Sequence, residues 1–229
     1  MSQPNGVPHF DTIEDAIASF AAGKFIIVLD NEDRENEGDL IIAASALTPA
    51  KAAFLVRHTS GYVCAPLTPA RAAELELPQM VTSNEDPNRT AYTITVDAAE
   101  GVTTGISAKD RSLTCRLLAD RSATKASFRR PGHVVPLQAR EGGVRVRAGH
   151  TEAAVEFCQL AGMEPVGVIA ELVEEGEVLE GKGALGGEIG MMRRDSCLRF
   201  ARRYGLCCVS IDGLVKYLDG GGKGKGKSS

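Results

Sequence analysis

Apolar positions recur along the chain with two different spacings, which predict helices interleaved with strands. Residues 13–20 place apolar side chains at helical spacing between Thr12, which suits a helix N-cap, and Gly23, where the helix is expected to stop. Residues 25–29 and 40–42 are short, continuously apolar runs, which are typical of buried strands. The chain is therefore predicted to open with a helix and then two strands that flank a polar loop.

Later helices are predicted from residues that favour the start or the end of a helix. Five residues have the chemistry of an N-cap, and proline, which is favoured at the first helical position, follows two of them. They are Thr48, Thr68, Ser107, Thr151 and Asp212. A further helix is predicted over residues 190–204, ending at Gly205.

Strands are predicted between these helices from alternation and from apolar runs. Residues 91–97 alternate strictly, and so do residues 144–147, in which valine and arginine take turns. Residues 165–173 and 207–211 are apolar runs of strand length. Six or seven strands and five or six helices predict an α/β (α+β) fold, a single-domain mixed sheet with helices packed around it.

Composition limits the domain organisation. We expect one domain over residues 1–219 and a disordered Gly/Lys tail over residues 220–229, because the tail offers no apolar side chain to bury. The six cysteines form no C-x-x-C pair, and free thiols are expected.

Charge and hydropathy exclude some classes of function. The net charge of -4 is spread over mixed acids and bases, which argues against a general nucleic-acid binder. No apolar run approaches the ~20 residues that a membrane span needs. The first fifteen residues lack the pattern of a signal peptide, so a cytoplasmic protein is expected.

The polar loop DNEDRENEGD (30–39) concentrates carboxylates between two predicted strands. If the loop were extended, Glu35, Glu37 and Asp39 would share one side, because side chains alternate in an extended chain. Several carboxylate oxygens at one place suit Mg²⁺ or Mn²⁺. The alternative is a solvated acidic loop that binds nothing.

Two histidines lie in segments that suit an active site. His150 stands at a predicted helix start beside Arg147, where unsatisfied backbone N–H groups favour a phosphate and a neutral imidazole could bind a metal. His133 follows a predicted turn at Pro131 and Gly132, next to two arginines, and could reach an anionic substrate. From these residues alone, two alternatives remain open: His150 could be a surface histidine that caps a helix, and His133 could be an incidental loop histidine.

Six stretches, in a consistent order, resemble the 3,4-dihydroxy-2-butanone 4-phosphate synthase family of riboflavin biosynthesis. They are EDRENEGDLIIAA (32–44), GYVCAPLT (61–68), GVTTGISAKDR (101–111), RRPGHVVPL (129–137), RAGHTEAAVEFCQLAG (147–162) and VIAELV (168–173). The similarity extends from about residue 12 to residue 219, and RENEGD together with RAGHTEA makes it specific.

The resemblance implies a role for each matching residue. Glu35 and His150 match metal ligands, and His133 and Glu171 match positions essential for catalysis. Matches to substrate contacts are Arg34, Asp39, Arg147 and Thr151, the last two nearest the phosphate. Residues expected to support or line the pocket are Glu37, Cys64, Thr104 and Ser107, with an inert buried thiol as the alternative for Cys64.

The family also implies an activity and an assembly. Its members convert ribulose 5-phosphate to 3,4-dihydroxy-2-butanone 4-phosphate and formate with Mg²⁺ or Mn²⁺, and they form homodimers with active sites at the subunit interface. A monofunctional member is expected, since only the polar tail follows residue 219. Two alternatives remain: another metal-dependent sugar-phosphate isomerase or aldolase, and a non-enzymatic metal-binding protein.

Overall fold

A seven-stranded mixed sheet lies at the centre of the computed structural model, which describes residues 9–221. Its strands are β1 (Ile26–Leu29), β2 (Gly38–Ala43), β3 (Cys64–Leu67), β4 (Val96–Ala98), β5 (Phe128–Gln138), β6 (Gly167–Glu171) and β9 (Cys207–Ser210), in the order β4-β5-β3-β6-β2-β1-β9. Strands β7 (Glu177–Leu179) and β8 (Ala184–Gly186) form a separate antiparallel hairpin. The predicted α/β fold with a mixed sheet is confirmed.

Seven α-helices cover both faces of the large sheet within the described residues. They are α1 (Ile13–Ala21), α2 (Pro49–His58), α3 (Pro69–Glu74), α4 (Ala108–Leu118), α5 (His150–Leu160), α6 (Arg194–Tyr204) and α7 (Ile211–Asp219). Consecutive side chains of a strand point to opposite faces, so Ile26 and Val28 pack under α1, α5 and α7, whereas Ile27 and Leu29 pack under α2, α4 and α6. Three layers, helices on sheet on helices, result.

Local capping chemistry explains where several helices begin. The side chains of Thr12, Thr48, Thr68 and Ser107 each accept a hydrogen bond from the backbone N–H three residues later, as the sequence predicts. Helix α6 starts at Arg194, later than expected, and ends at Tyr204, with Gly205 in the left-handed conformation as its C-cap.

Two predicted caps are each wrong by two residues. Helix α5 has Gly149 as its N-cap, so Thr151 lies inside the first turn. Helix α7 begins after Ser210, whose hydroxyl accepts the N–H of Gly213, and Asp212 is therefore already helical. In both cases a small residue just upstream takes the extended conformation that precedes a helix.

Three predicted strand or turn assignments are also corrected. Residues 144–147 form no strand, because Gly142 and Gly143 have positive φ and lead the chain into a 3-10 helix (Gly143–Arg145). Residues 91–97 contribute only isolated bridges before β4 begins at Val96. Pro131 and Gly132 make no turn, since β5 runs through them.

The structure also bears on the cysteines, on membrane spans and on the C-terminal tail. All six cysteines are free thiols, as expected. In the part of the chain that the structure describes, no helix is long and apolar enough to cross a membrane. The predicted disordered tail falls on residues 220–229, of which 222–229 lie outside the described residues.

Candidate active site

The acidic loop between β1 and β2 is organised by one of its own carboxylates. The buried Asp30 accepts hydrogen bonds from the backbone N–H groups of Glu35 and Glu37 and from the Arg34 guanidinium at 2.7 Å. Residues 32–35 form a turn, and Asn36 has a φ of 55°. The loop is thus compact, and the expectation that three carboxylates share one side of an extended strand is wrong; of the three, only Asp39 lies in β2.

His150, at the start of α5, presents a lone pair to this acidic region. Its Nε2 lies 3.1 Å from the carbonyl oxygen of Val28, which can only accept, so Nε2 carries the proton and Nδ1 does not. Nδ1 lies 3.5 Å from Asp39 Oδ1 and 3.9 Å from Glu35 Oε2. Burial lowers the pKa of His150 to about 4. The imidazole is therefore neutral near pH 7, the form that binds a metal.

Asp39 supplies a buried carboxylate oxygen without a partner. Within residues 9–221, its Oδ1 accepts no hydrogen bond. Burial, followed by the negative charges of Glu171 and Glu35, raises the pKa of Asp39 well above its ordinary value. Glu171 is its direct neighbour in the antiparallel pairing of β2 and β6. An unpartnered carboxylate among like charges is unfavourable, and a divalent cation would neutralise it.

The residues that could hold such a cation can be ranked by their other contacts. Ligand atoms of Asp30, Glu35 and His150 all lie within 4.8 Å of one another. However, the oxygens of Asp30 already accept three N–H groups of the loop. Glu35 accepts only from two side chains, Arg34 and Asn88, which can move aside, whereas the backbone N–H groups that Asp30 accepts cannot. Glu35 and His150, with Asp39 beside them, therefore fit a hard divalent ion better.

The other end of the site suits a phosphate. Gly149 brings no capping side chain to α5, so the first N–H groups of the helix remain available to an anion. Arg147 is held by Glu152 Oε2 at 2.6 Å, by Thr90 Oγ1 at 2.9 Å and by the carbonyl of Asn88 at 3.1 Å. The guanidinium is thus fixed in place at the mouth of the helix.

One pocket joins the end that could hold a cation and the end that suits a phosphate. Eight predicted site residues line it: Arg34, Glu35, Asp39, Cys64, Arg147, His150, Thr151 and Glu171. Cys64 is a buried thiol whose pKa is raised well above its ordinary value by burial and then by Asp39 and Glu171, so it stays protonated.

The pocket also contains residues that sequence reasoning missed. Among them, Tyr62, Thr90 and Tyr92 contribute polar groups. The sequence could have indicated Tyr62, because it lies two positions before Cys64 in GYVCAPLT (61–68), one of the stretches that resemble the family. Thr90 and Tyr92 belong to the polar segment 83–92 (SNEDPNRTAY). This segment is distant in sequence from the other pocket residues but contacts them, since Thr90 accepts a hydrogen bond from Arg147.

Four predicted site residues lie outside this pocket. Glu37 approaches Arg193 at 3.8 Å, and burial is the main reason its pKa is raised. Ser107 caps α4, and Thr104 lies in the exposed loop before it. His133, on β5, pairs with Asp97. Ser107 thus has a structural explanation. His133 and Asp97 together form a second polar group outside the pocket.

Comparison with known proteins places this site in a family. Residues 14–217 match the sequence profile of the 3,4-dihydroxy-2-butanone 4-phosphate synthase family. The chain belongs to this family. It is 53% identical over 222 residues to the 3,4-dihydroxy-2-butanone 4-phosphate synthase of Pyricularia oryzae, covering 96% of this chain and 95% of that protein. The Schizosaccharomyces pombe synthase is 53% identical over 211 residues, covering 91% of this chain and 98% of the relative.

Solved structures of 3,4-dihydroxy-2-butanone 4-phosphate synthases share the fold. One, described as a complex with two magnesium ions, superposes with a TM-score of 0.91 at 54% identity and covers 93% of this chain and 100% of its own. A cation-free form superposes with a TM-score of 0.87 at 52% identity, covering 93% and 99%. The predicted family is therefore confirmed, and one of its members binds the class of ion that the Glu35–Asp39–His150 group fits.

Proposed function

We propose that the protein converts D-ribulose 5-phosphate to L-3,4-dihydroxy-2-butanone 4-phosphate and formate with Mg²⁺ or Mn²⁺, as a lyase of riboflavin biosynthesis. The observation that carries this proposal is the buried group at the start of α5. A neutral imidazole of His150, an unpartnered oxygen of Asp39 and the carboxylate of Glu35 face one another there. The family's named activity supplies the reaction that this chemistry suits.

The metal end of the pocket would stabilise negative charge on the substrate. The reaction removes a proton beside a carbonyl, loses water, rearranges the carbon skeleton and releases an internal carbon as formate. A divalent ion held by Glu35 and His150 would act as a Lewis acid toward the carbonyl and neighbouring hydroxyl oxygens. Arg34 and Asp39, which border the same space, are suited to bind those hydroxyls.

The phosphate end would orient the substrate. The phosphate does not react, so its contacts serve positioning. Arg147 is fixed by three partners and Thr151 lies in the first turn of α5, which suits a binding role that changes little during the reaction. Glu171, exposed at the end of β6 opposite Asp39, is the proton-transferring group that the pocket itself offers.

We further propose that the functional unit is a homodimer. His133 and Thr104, both expected in the site, are not among the residues that line the pocket described here. Two exposed large side chains, Tyr62 with its aromatic ring at the pocket and Ile106 two positions after Thr104, would be covered if the His133–Asp97 group of one subunit faced the pocket of another. His133 would then act on a substrate held by the partner subunit.

One assay distinguishes this function from its alternatives. Purified protein is incubated with ribulose 5-phosphate and Mg²⁺, and formate is measured. Formate release at the expense of substrate is the expected result. Conversion of the sugar phosphate without formate would favour an isomerase or aldolase, and binding of the metal without any turnover would favour a non-enzymatic metal-binding protein.

A further inference from the structure

A histidine and an aspartate are paired on the sheet away from the candidate metal centre. His133 Nδ1 lies 2.7 Å from Asp97 Oδ2, and the backbone N–H of His133 donates to Asp97 Oδ1 at 2.9 Å. One carboxylate thus holds both the backbone and the ring of the same residue. The Asp97 side chain is 10% exposed, whereas 40% of the His133 side chain is exposed, so the far edge of the imidazole is accessible.

An irregularity between β4 and β5 builds this pair. Val96 is paired with Val134, yet the next residue, Asp97, is paired with Arg129. Such a register shift redirects a side chain that would otherwise follow the regular alternation of the strand. Gly132 permits the close approach of the two strands, because a Cβ atom there would lie 2.0 Å from the backbone carbon of Val96.

A glycine in the neighbouring loop leaves space for the pair. Gly105 has a φ of +96°, and a Cβ atom on it would lie 2.0 Å from Asp97 Oδ2 and 2.7 Å from His133 Nδ1. The loop is anchored by Asp110 Oδ2, which accepts the N–H groups of Thr103 and Gly105 and the Thr103 hydroxyl. The hydrogen bond from that hydroxyl is the main reason the pKa of Asp110 is lowered.

The pair determines which ring nitrogen of His133 can accept a proton. An ionised Asp97 can only accept hydrogen bonds, so it favours the tautomer with the proton on Nδ1. Nε2 then carries the lone pair, on the edge of the ring that does not contact Asp97. A general base needs its lone pair directed at the substrate, and a carboxylate behind the ring keeps it so directed.

We propose that Asp97 is the positioning residue for His133 and that Gly105 leaves the space in which the two can pair. This inference rests on the proposed role of His133 in proton transfer. Asp97 itself acts only through the imidazole, holding its tautomer and orientation. The register shift, Gly132 and Gly105 are three independent features of the backbone that serve the same contact.

The tautomer of His133 can be measured without any turnover. In protein labelled with ¹⁵N-histidine, the ring signals that disappear in His133→Ala identify this residue. The proposal predicts Nδ1 protonated and Nε2 unprotonated in the neutral ring of the unmodified protein. In Asp97→Asn the amide nitrogen can donate to Nδ1, and the tautomer is expected to reverse. A proton on Nε2 in the unmodified protein would overturn the proposal.

Kinetics then test whether this geometry matters. Asp97→Asn is expected to lower kcat by roughly 10²–10⁴-fold, the range typical of a general base, with little change in KM. Asp212→Asn is the matched control, because among residues 9–221 Asp212 pairs only with Lys216 on an exposed helix face, and its kcat should be unchanged. An unchanged kcat in Asp97→Asn would overturn the proposed positioning role.

Substitution of the glycine gives a second, independent variant. Gly105→Ala should displace the pair and lower kcat, whereas Gly162→Ala should not, although Gly162 also has a positive φ (+66°) with no atom within 4 Å of the added Cβ. Failure of the proposed function has a different signature. If His133→Ala kept full kcat, the proposed role of His133 in proton transfer would be wrong. If His133→Ala lost kcat while Asp97→Asn and Gly105→Ala kept it, only the positioning role of Asp97 would be wrong.

Discussion

The side-chain amide of Asn88 donates a hydrogen bond to Glu35 Oε1 at 2.5 Å, although 53 positions separate the two residues. Arg34 donates to the other oxygen, Glu35 Oε2, at 2.5 Å. Both oxygens of the expected metal ligand are therefore engaged by neighbouring side chains. A cation that binds Glu35 must displace or share at least one of these contacts, so Asn88 would compete with a bound metal ion for the same carboxylate.

This competition predicts that Asn88→Ala binds Mg²⁺ or Mn²⁺ more tightly than the unmodified protein. Removing one hydrogen bond with a net value of about 1 kcal/mol should lower the dissociation constant roughly fivefold. Calorimetric titration of the metal measures the effect. Ser83→Ala, an exposed position in the same segment, is the control and should leave the constant unchanged. Weaker binding by Asn88→Ala would show that Asn88 assists the metal.

Glu35→Gln and His150→Ala are each expected to weaken metal binding and lower turnover while the chain stays folded. Glu35→Gln replaces one ligand oxygen with an amide nitrogen, and His150→Ala removes the lone pair on Nδ1. Calorimetry reports the metal affinity, and circular dichroism reports the fold. Glu14→Gln, in the first turn of α1, supplies a matched control. Unchanged affinity in both site variants would mean that the metal binds elsewhere.

Arg147→Ala is expected mainly to raise KM, whereas His133→Ala should mainly lower kcat. The phosphate keeps its charge throughout the reaction, so its contacts stabilise the ground state and the transition state alike. Steady-state kinetics separate the two effects. Arg147→Ala also leaves Glu152, which is 1% exposed, without its guanidinium partner. The double variant Arg147→Ala/Glu152→Gln therefore controls for lost stability. If His133→Ala lost metal affinity while His150→Ala kept it, the two histidines would have exchanged roles: His133 would bind the metal and His150 would transfer protons.

His58 predicts a pH dependence of stability. Its ring packs among Phe54, Phe200 and Tyr204, with centroids 4.6 to 5.4 Å away. Burial lowers its pKa below the ordinary 6.5, so as the pH falls through 6.5 the unfolded chain takes up the proton first. This contribution to stability is complete above pH 6.5 and is lost as the pH falls toward the lowered folded pKa.

The measurement for His58 compares free energies of unfolding in urea between pH 7 and pH 5. His58→Phe keeps an aromatic ring in the cluster and cannot be protonated, so it should lose less stability on acidification than the unmodified protein. The exposed His9, changed to Gln, is the control and should behave like the unmodified protein. An identical pH dependence in His58→Phe would show that this ring does not carry the effect.

Features that depend on a few adjacent residues could be predicted from the sequence. Thr12, Thr48, Thr68 and Ser107 cap helices because the hydroxyl and the N–H that it accepts are three positions apart. The alternation in residues 144–147 wrongly predicted a strand. The preceding Gly142 and Gly143 have positive φ, and they direct the chain into a 3-10 helix instead.

Contacts between distant segments could not be predicted in the same way. His150 has its tautomer set by a carbonyl 122 positions earlier, and Asn88 reaches Glu35 from a segment with no regular secondary structure. Neither partner is marked by residue type or spacing. The family resemblance indicated that His150 and Glu35 belong together, whereas only the fold reveals what each of them contacts.

The central claim is tested most directly by the amount of formate released for each ribulose 5-phosphate consumed, with and without divalent metal. The account predicts one formate per substrate in Mg²⁺, no formate after exhaustive treatment with EDTA, and recovery when Mg²⁺ or Mn²⁺ is added back. Substrate consumption without formate would contradict the proposed reaction. Undiminished formate release by fully metal-free protein would contradict the assignment of Glu35 and His150 to a metal centre.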